Sequence, residues 1–89
     1  MMITSKQEDE ERELCMIDVS IVGRNIAFLR RKQRMTQQDL AEAMNVSHQA
    51  VSKWENGAAL PDIQTVLSMS RLFGITMESL LTSPVVESV

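Results

Sequence analysis

The residues best equipped for chemistry lie between positions 36 and 56. Within six positions, His48, Gln49, Ser52 and Lys53 supply an imidazole, a carboxamide, a hydroxyl and an ammonium group. At helical spacing these four fall on one side, while Val51 and Trp54 fall on the other and read as packing residues. Such a set can hydrogen-bond base edges and phosphates; it is not equipped to make or break covalent bonds. Bond-making chemistry lacks its parts: there are no paired carboxylates, no nucleophile–base set and no glycine loop to cradle phosphate. No catalytic residues and no enzyme activity are expected. Cys15 is the single cysteine and His48 the single histidine, which excludes an internal disulfide, a four-ligand zinc site and a His-rich metal site. No metal and no cofactor are expected.

The elements that must carry these side chains are helices. Val22, Ile26, Leu29 and Gln33 recur at i, i+4, i+7 and i+11, predicting a first helix over about 20–34. Thr36 can cap a second helix, with Asp39 three residues on in a near capping box and Leu40, Ala41 and Met44 on its apolar face. Asn45 can end that helix in a left-handed conformation. Ser47 is the next cap, and His48 to Glu55 run as a short helix that stops at Asn56-Gly57. Two short helices separated by about three residues make a helix-turn-helix. Residues 58–61 read as an ordered linker. Asp62 caps a fourth helix with Ile63, Val66, Leu67 and Ser70 on one face, ending at Gly74. Thr76 caps a last helix holding Met77, Leu80 and Leu81, and Pro84 stops it. The expected fold is a compact all-α bundle of five helices. Residues 14–22 are apolar and partly alternating, so both a short strand and a packed lead-in stay open.

The run Thr36-Gln37-Gln38-Asp39-Leu40-Ala41, then Val46-Ser47, then Gln49-Ala50-Val51-Ser52-Lys53-Trp54-Glu55-Asn56-Gly57 resembles the Cro/CI-type helix-turn-helix family, also called the xenobiotic-response-element family. Leu60-Pro61-Asp62, Phe73-Gly74-Ile75 and Leu80-Leu81 extend the likeness to residues 20–82. The resemblance implies a lambda-repressor-like domain that binds operator DNA as a homodimer, with its third helix in the major groove. It implies base contacts from His48, Gln49, Ser52 and Lys53. Glutamine can pair with adenine N6 and N7, lysine can donate to guanine O6 or N7, histidine can reach guanine or phosphate, and serine can reach phosphate or a thymine methyl. Phosphate contacts are expected from Arg24, Thr36, Gln37, Ser47 and Asn56; the starts of the second and third helices suit an anion because their N–H groups are free. Arg31, Lys32 and Arg34 are further cations for phosphate or for a solvated face. The family pattern also implies an internal ion pair between Arg30 and Glu55.

Net charge runs against this reading until it is located. The chain has 89 residues, nine basic and twelve acidic, for a formal −3. Residues 1–18 hold Lys6 and Arg12 against Glu8, Asp9, Glu10, Glu11, Glu13 and Asp18, a net −4. The remainder is +1, with five of its seven cations between 24 and 34. We therefore expect an acidic, flexible tail over 1–18, a DNA-binding domain over 19–83 and a short tail over 84–89. The tail suits a protein partner or competition with phosphate. The stretch 57–60 carries no charge, although many family members place basic residues there. Candidate dimer surfaces are the last helix with Val85, Val86 and Val89, or the lead-in of residues 14–21. No apolar run is long enough to span a bilayer, and the first residues do not read as a signal peptide, so a cytoplasmic location is expected. The expected function is transcriptional regulation, by repression in the simplest case. The competing reading is an antitoxin or other protein-interaction module on the same fold.

Overall fold

The computed structural model describes residues 17–85. Among these, five helices follow one another: α1 (Val19–Lys32), α2 (Gln37–Met44), α3 (His48–Glu55), α4 (Ile63–Phe73) and α5 (Met77–Thr82). Each starts at a side-chain cap. The Asp18 carboxylate accepts from the N–H groups of Ser20 and Ile21. Thr36, Ser47, Asp62 and Thr76 each accept from the N–H three residues on. At α2 the box is reciprocal: the Thr36 hydroxyl accepts from Asp39 N–H at 3.0 Å, and the Asp39 carboxylate accepts from Thr36 N–H at 2.9 Å. Ile17 and Asp18 enter α1 without strand structure. The rest of the lead-in, to residue 16, and most of the acidic tail lie outside the described residues.

α1 ends two residues earlier than the stripe predicts. Arg34 takes a left-handed φ of 60°, and Met35 N–H turns back to the Arg30 carbonyl at 3.0 Å. That closure normally uses glycine, so arginine here hides the stop signal. Gln33, placed on the buried stripe by its spacing, is instead the exposed C-cap of α1, and its Nε2 donates to the Leu72 carbonyl at 3.3 Å. Asn45 adopts the left-handed conformation its type suggests, with φ 60°.

The core gathers Val22, Ile26 and Leu29 of α1, Leu40 and Ala41 of α2, Val51 and Trp54 of α3, Val66, Met69 and Phe73 of α4, and Leu80 of α5. α1 packs against α3 and α5, and α2 packs against α3. The face of α4 differs from the one its sequence suggests. Ile63 is 67% exposed and Leu67 38%, while Val66, Met69, Ser70 and Phe73 turn inward. Ile63 occupies the first turn, and α4 is apolar on more than one side, so periodicity alone admitted two rotations. The inward one seats Met69 and Phe73, the bulkier pair.

A buried asparagine ties the end of the described chain to α1. Asn25 Nδ2 donates to the carbonyls of Leu80 and Ser83, each at 2.8 Å, and its Oδ1 accepts from Val85 N–H at 3.0 Å. Val85 is half-buried against the core. One candidate residue for a dimer surface is thus partly occupied within its own domain, and Val86 and Val89 lie outside the described residues.

Candidate nucleic-acid interface

α2 and α3 are joined by Asn45, Val46 and Ser47, and α3 buries Val51 and Trp54. At 100° per residue, His48, Gln49, Ser52 and Lys53 lie within an arc of roughly 140° on the opposite side. His48, Gln49 and Lys53 are exposed, and their side chains make no hydrogen bond among the described residues. Ser52 is half-buried and set apart from the other three: its Oγ lies 3.5 Å from Asn56 Nδ2, at the outer limit for a hydrogen bond. Lys53 sits in the last turn, where its charge complements the carbonyl end of the helix.

The flanking phosphate candidates fall into two kinds. Arg24 is exposed on α1. Thr36 and Ser47 are exposed caps whose oxygens accept from Asp39 and Ala50 N–H and whose hydroxyl hydrogens remain available to donate. The N–H groups of Gln37 and Gln38 at α2, and of His48 and Gln49 at α3, have no acceptor among the described residues, as helix starts dictate. Asp39 brings a negative charge to the start of α2. Its hydrogen bonds from Thr36 hold that carboxyl below the ordinary 3.8. Gln37 is half-buried, and its Nε2 donates to Glu55 Oε1 at 2.9 Å. Asn56 caps the end of α3 and is exposed.

What holds α3 in place is a backbone contact and a buried ion pair. Gly23 sits where α1 meets the end of α3. A Cβ there would collide with the Trp54 carbonyl oxygen and come within 2.9 Å of the Glu55 carbonyl oxygen. Arg30 grips Glu55 through two parallel bonds, Nε to Oε2 at 2.7 Å and Nη2 to Oε1 at 3.1 Å, with both side chains at or below 10% exposure. Arg30 Nη1 also donates to the Met35 carbonyl at 2.7 Å. One guanidinium therefore links α1, the turn before α2 and the end of α3. Removing one partner of such a pair strands the other and costs about 3–5 kcal/mol. Sequence reasoning missed Gly23 and the Asn25 clamp. The available signals were a glycine in mid-helix beside Val22 and an asparagine next to Ile26 on the buried side.

These features define a helix-turn-helix unit with an open polar face on its second helix. The family described as Helix-turn-helix matches residues 26–80, well over half of the chain, and the chain belongs to that family. The HTH-type transcriptional activator BcrR of Enterococcus faecalis is 39% identical over 54 residues, covering 61% of this chain and 26% of that protein. Multiprotein-bridging factor 1c of Arabidopsis thaliana is 31% identical over 78 residues, covering 85% of this chain and 53% of that protein. The chain thus spans about a quarter and about half of these relatives. In structure it is similar to the SOS-response transcriptional repressor LexA of Eubacterium rectale, with a TM-score of 0.70 at 24% identity over 81% of this chain and 79% of that one. That likeness supports the fold. No helix among the described residues is long and apolar enough to cross a membrane.

Proposed function

We propose that this chain is a sequence-specific DNA-binding transcriptional regulator of the Cro/CI, or xenobiotic-response-element, kind. It inserts α3 into the major groove of a near-palindromic operator and binds as a homodimer, with half-sites about one helical turn, ~34 Å, apart. It has no catalytic role and works in the cytoplasm. The carrying observation is the state of α3. His48, Gln49 and Lys53 are exposed and their side chains make no hydrogen bond among the described residues, on a helix fixed by Gly23 and by the Arg30–Glu55 pair. Rigid support with uncommitted donors and acceptors is what direct base readout requires.

In this reading Gln49 and Lys53 read bases, His48 reads guanine or phosphate, and Ser52 contributes least because it is half-buried. Arg24, Thr36, Gln37, Ser47 and Asn56 set the register on the backbone. Promoter occlusion is the mode such a domain supports by itself. Activation is the alternative sign, in keeping with the name of BcrR, and a promoter–reporter assay separates the two.

Selection of duplexes from a random pool tests the proposal. Wild type should enrich one motif with two related half-sites. Gln49→Ala and Lys53→Ala should each lose preference at one base position, by about 1–3 kcal/mol, with unchanged melting. A second reading, a protein-bridging module, draws on the exposed Leu60, Ile63 and Leu67 and on the name of the bridging-factor relative. It takes over if wild type enriches no motif at low salt.

A further inference from the structure

The Glu55 side chain is only 6% exposed, so the bonding of its carboxylate is restricted to what the fold places around it. Oε2 accepts from Arg30 Nε at 2.7 Å; Oε1 accepts from Arg30 Nη2 at 3.1 Å and from Gln37 Nε2 at 2.9 Å. Arg30 alone would neutralise the charge. The third donor has a different consequence, because it belongs to the first residue of α2, which is half-buried.

A glutamine side chain at a helix start can present either its oxygen or its NH2 group outward. Only the NH2 group can donate to a phosphate; the oxygen repels it. Glu55 is acceptor-only when ionised, so it admits only the NH2 edge of Gln37. One N–H is thereby used on Oε1. The second, on the same planar nitrogen, points away by roughly 120° and has no acceptor among the described residues. The same helix start carries the backbone N–H groups of Gln37 and Gln38, which have no acceptor among the described residues.

We infer that Glu55 is a positioning residue for Gln37: it locks the carboxamide so that one N–H faces a DNA phosphate before DNA arrives. The acid at the end of the reading helix thus sets the orientation of a backbone-contacting side chain on the preceding helix. Rotamer freedom that a loose glutamine would lose on binding is lost at folding instead. The inference rests on the DNA-binding reading above. It adds to the ion pair a task that Arg30 does not need Glu55 to perform.

The test is a double-mutant cycle on the full chain, using the duplex that wild type selects. Glu55→Asp keeps the charge for Arg30 but withdraws the carboxylate from Gln37 by one methylene. Gln37→Met keeps the length and removes the donor. We expect Gln37→Met to weaken binding about tenfold. Glu55→Asp should weaken it about fivefold in the wild-type background and less than twofold beside Gln37→Met. An equal loss in both backgrounds, or none in either, overturns the inference. A measurement on wild type covers the case in which Glu55→Asp does not fold. By nuclear magnetic resonance, one side-chain amide hydrogen of Gln37 should exchange slowly and hold its position during titration with DNA, while the other shifts. Two equivalent, fast-exchanging hydrogens overturn it. Failure of wild type to select any duplex defeats the DNA reading and this inference with it. Selection by wild type with uncoupled variants defeats the inference alone.

Discussion

Gly23 has no side chain, yet it decides where α3 sits. It lets the backbones of α1 and α3 touch at Trp54 and Glu55, and even one added methyl group has nowhere to go because both obstacles are carbonyl oxygens. Gly23→Ala adds helix propensity, worth about 1 kcal/mol in an exposed helix. The clash dominates here. We expect a net loss of about 1–3 kcal/mol in urea unfolding, with DNA affinity falling further than stability alone explains, since α3 must tilt to fit. A variant that unfolds at the wild-type midpoint would contradict the contact. Nothing in the sequence distinguishes such a glycine from a tolerated one, because the contact joins residues more than thirty positions apart. Asn25 was illegible for the same reason: its partners Leu80, Ser83 and Val85 lie 55 to 60 residues away.

Elements were easier to read where a local signal sufficed. Thr36, Asn45, Ser47, Asp62 and Thr76 act within three or four residues of themselves, and each sits at the helix boundary its type suggests. The rotation of α4 is not local. Ile63 and Leu67 are as apolar as Met69 and Phe73, and only packing against α5 and α2 selects the buried pair. Arg34 hid a helix stop by using a cation where glycine is usual. Two caps also tie element stability to pH. Hydrogen bonds from Thr36 and Thr65 hold the carboxyls of Asp39 and Asp62 below the ordinary 3.8. A depressed native value means the stabilisation is complete above the unfolded value and is lost as pH falls through the native one. The melting temperature should stay level from pH 7 to about pH 5 and decline below about pH 4. Asp39→Asn and Asp62→Asn should melt lower at pH 7 and show a shallower acid decline. Equal acid slopes in wild type and both variants would remove the caps as its source.

For the molecule as a whole, charge is placed sparingly. Residues 57–60, just past α3, are Gly57, Ala58, Ala59 and Leu60 and offer phosphate no cation. Under the proposed function, phosphate binding must then draw on Arg24, the other exposed cations around the end of α1 and uncharged donors, since Lys53 is assigned to bases. With about two cationic phosphate contacts per protomer, log K against log salt should fall with a slope of about −4 for a dimer. A slope near −10 would mean a broader basic field than the structure presents.

The close seat of α3 has a further consequence. Its position is set by Gly23, Val51, Trp54 and Glu55, none of which lies on the outward arc. The side chains of His48, Gln49 and Lys53 are exposed and make no hydrogen bond among the described residues. The address that the proposed function gives this domain is therefore separable from the frame that carries it. Exchanging those three side chains for others should redirect the protein to a different duplex while its unfolding curve stays the same.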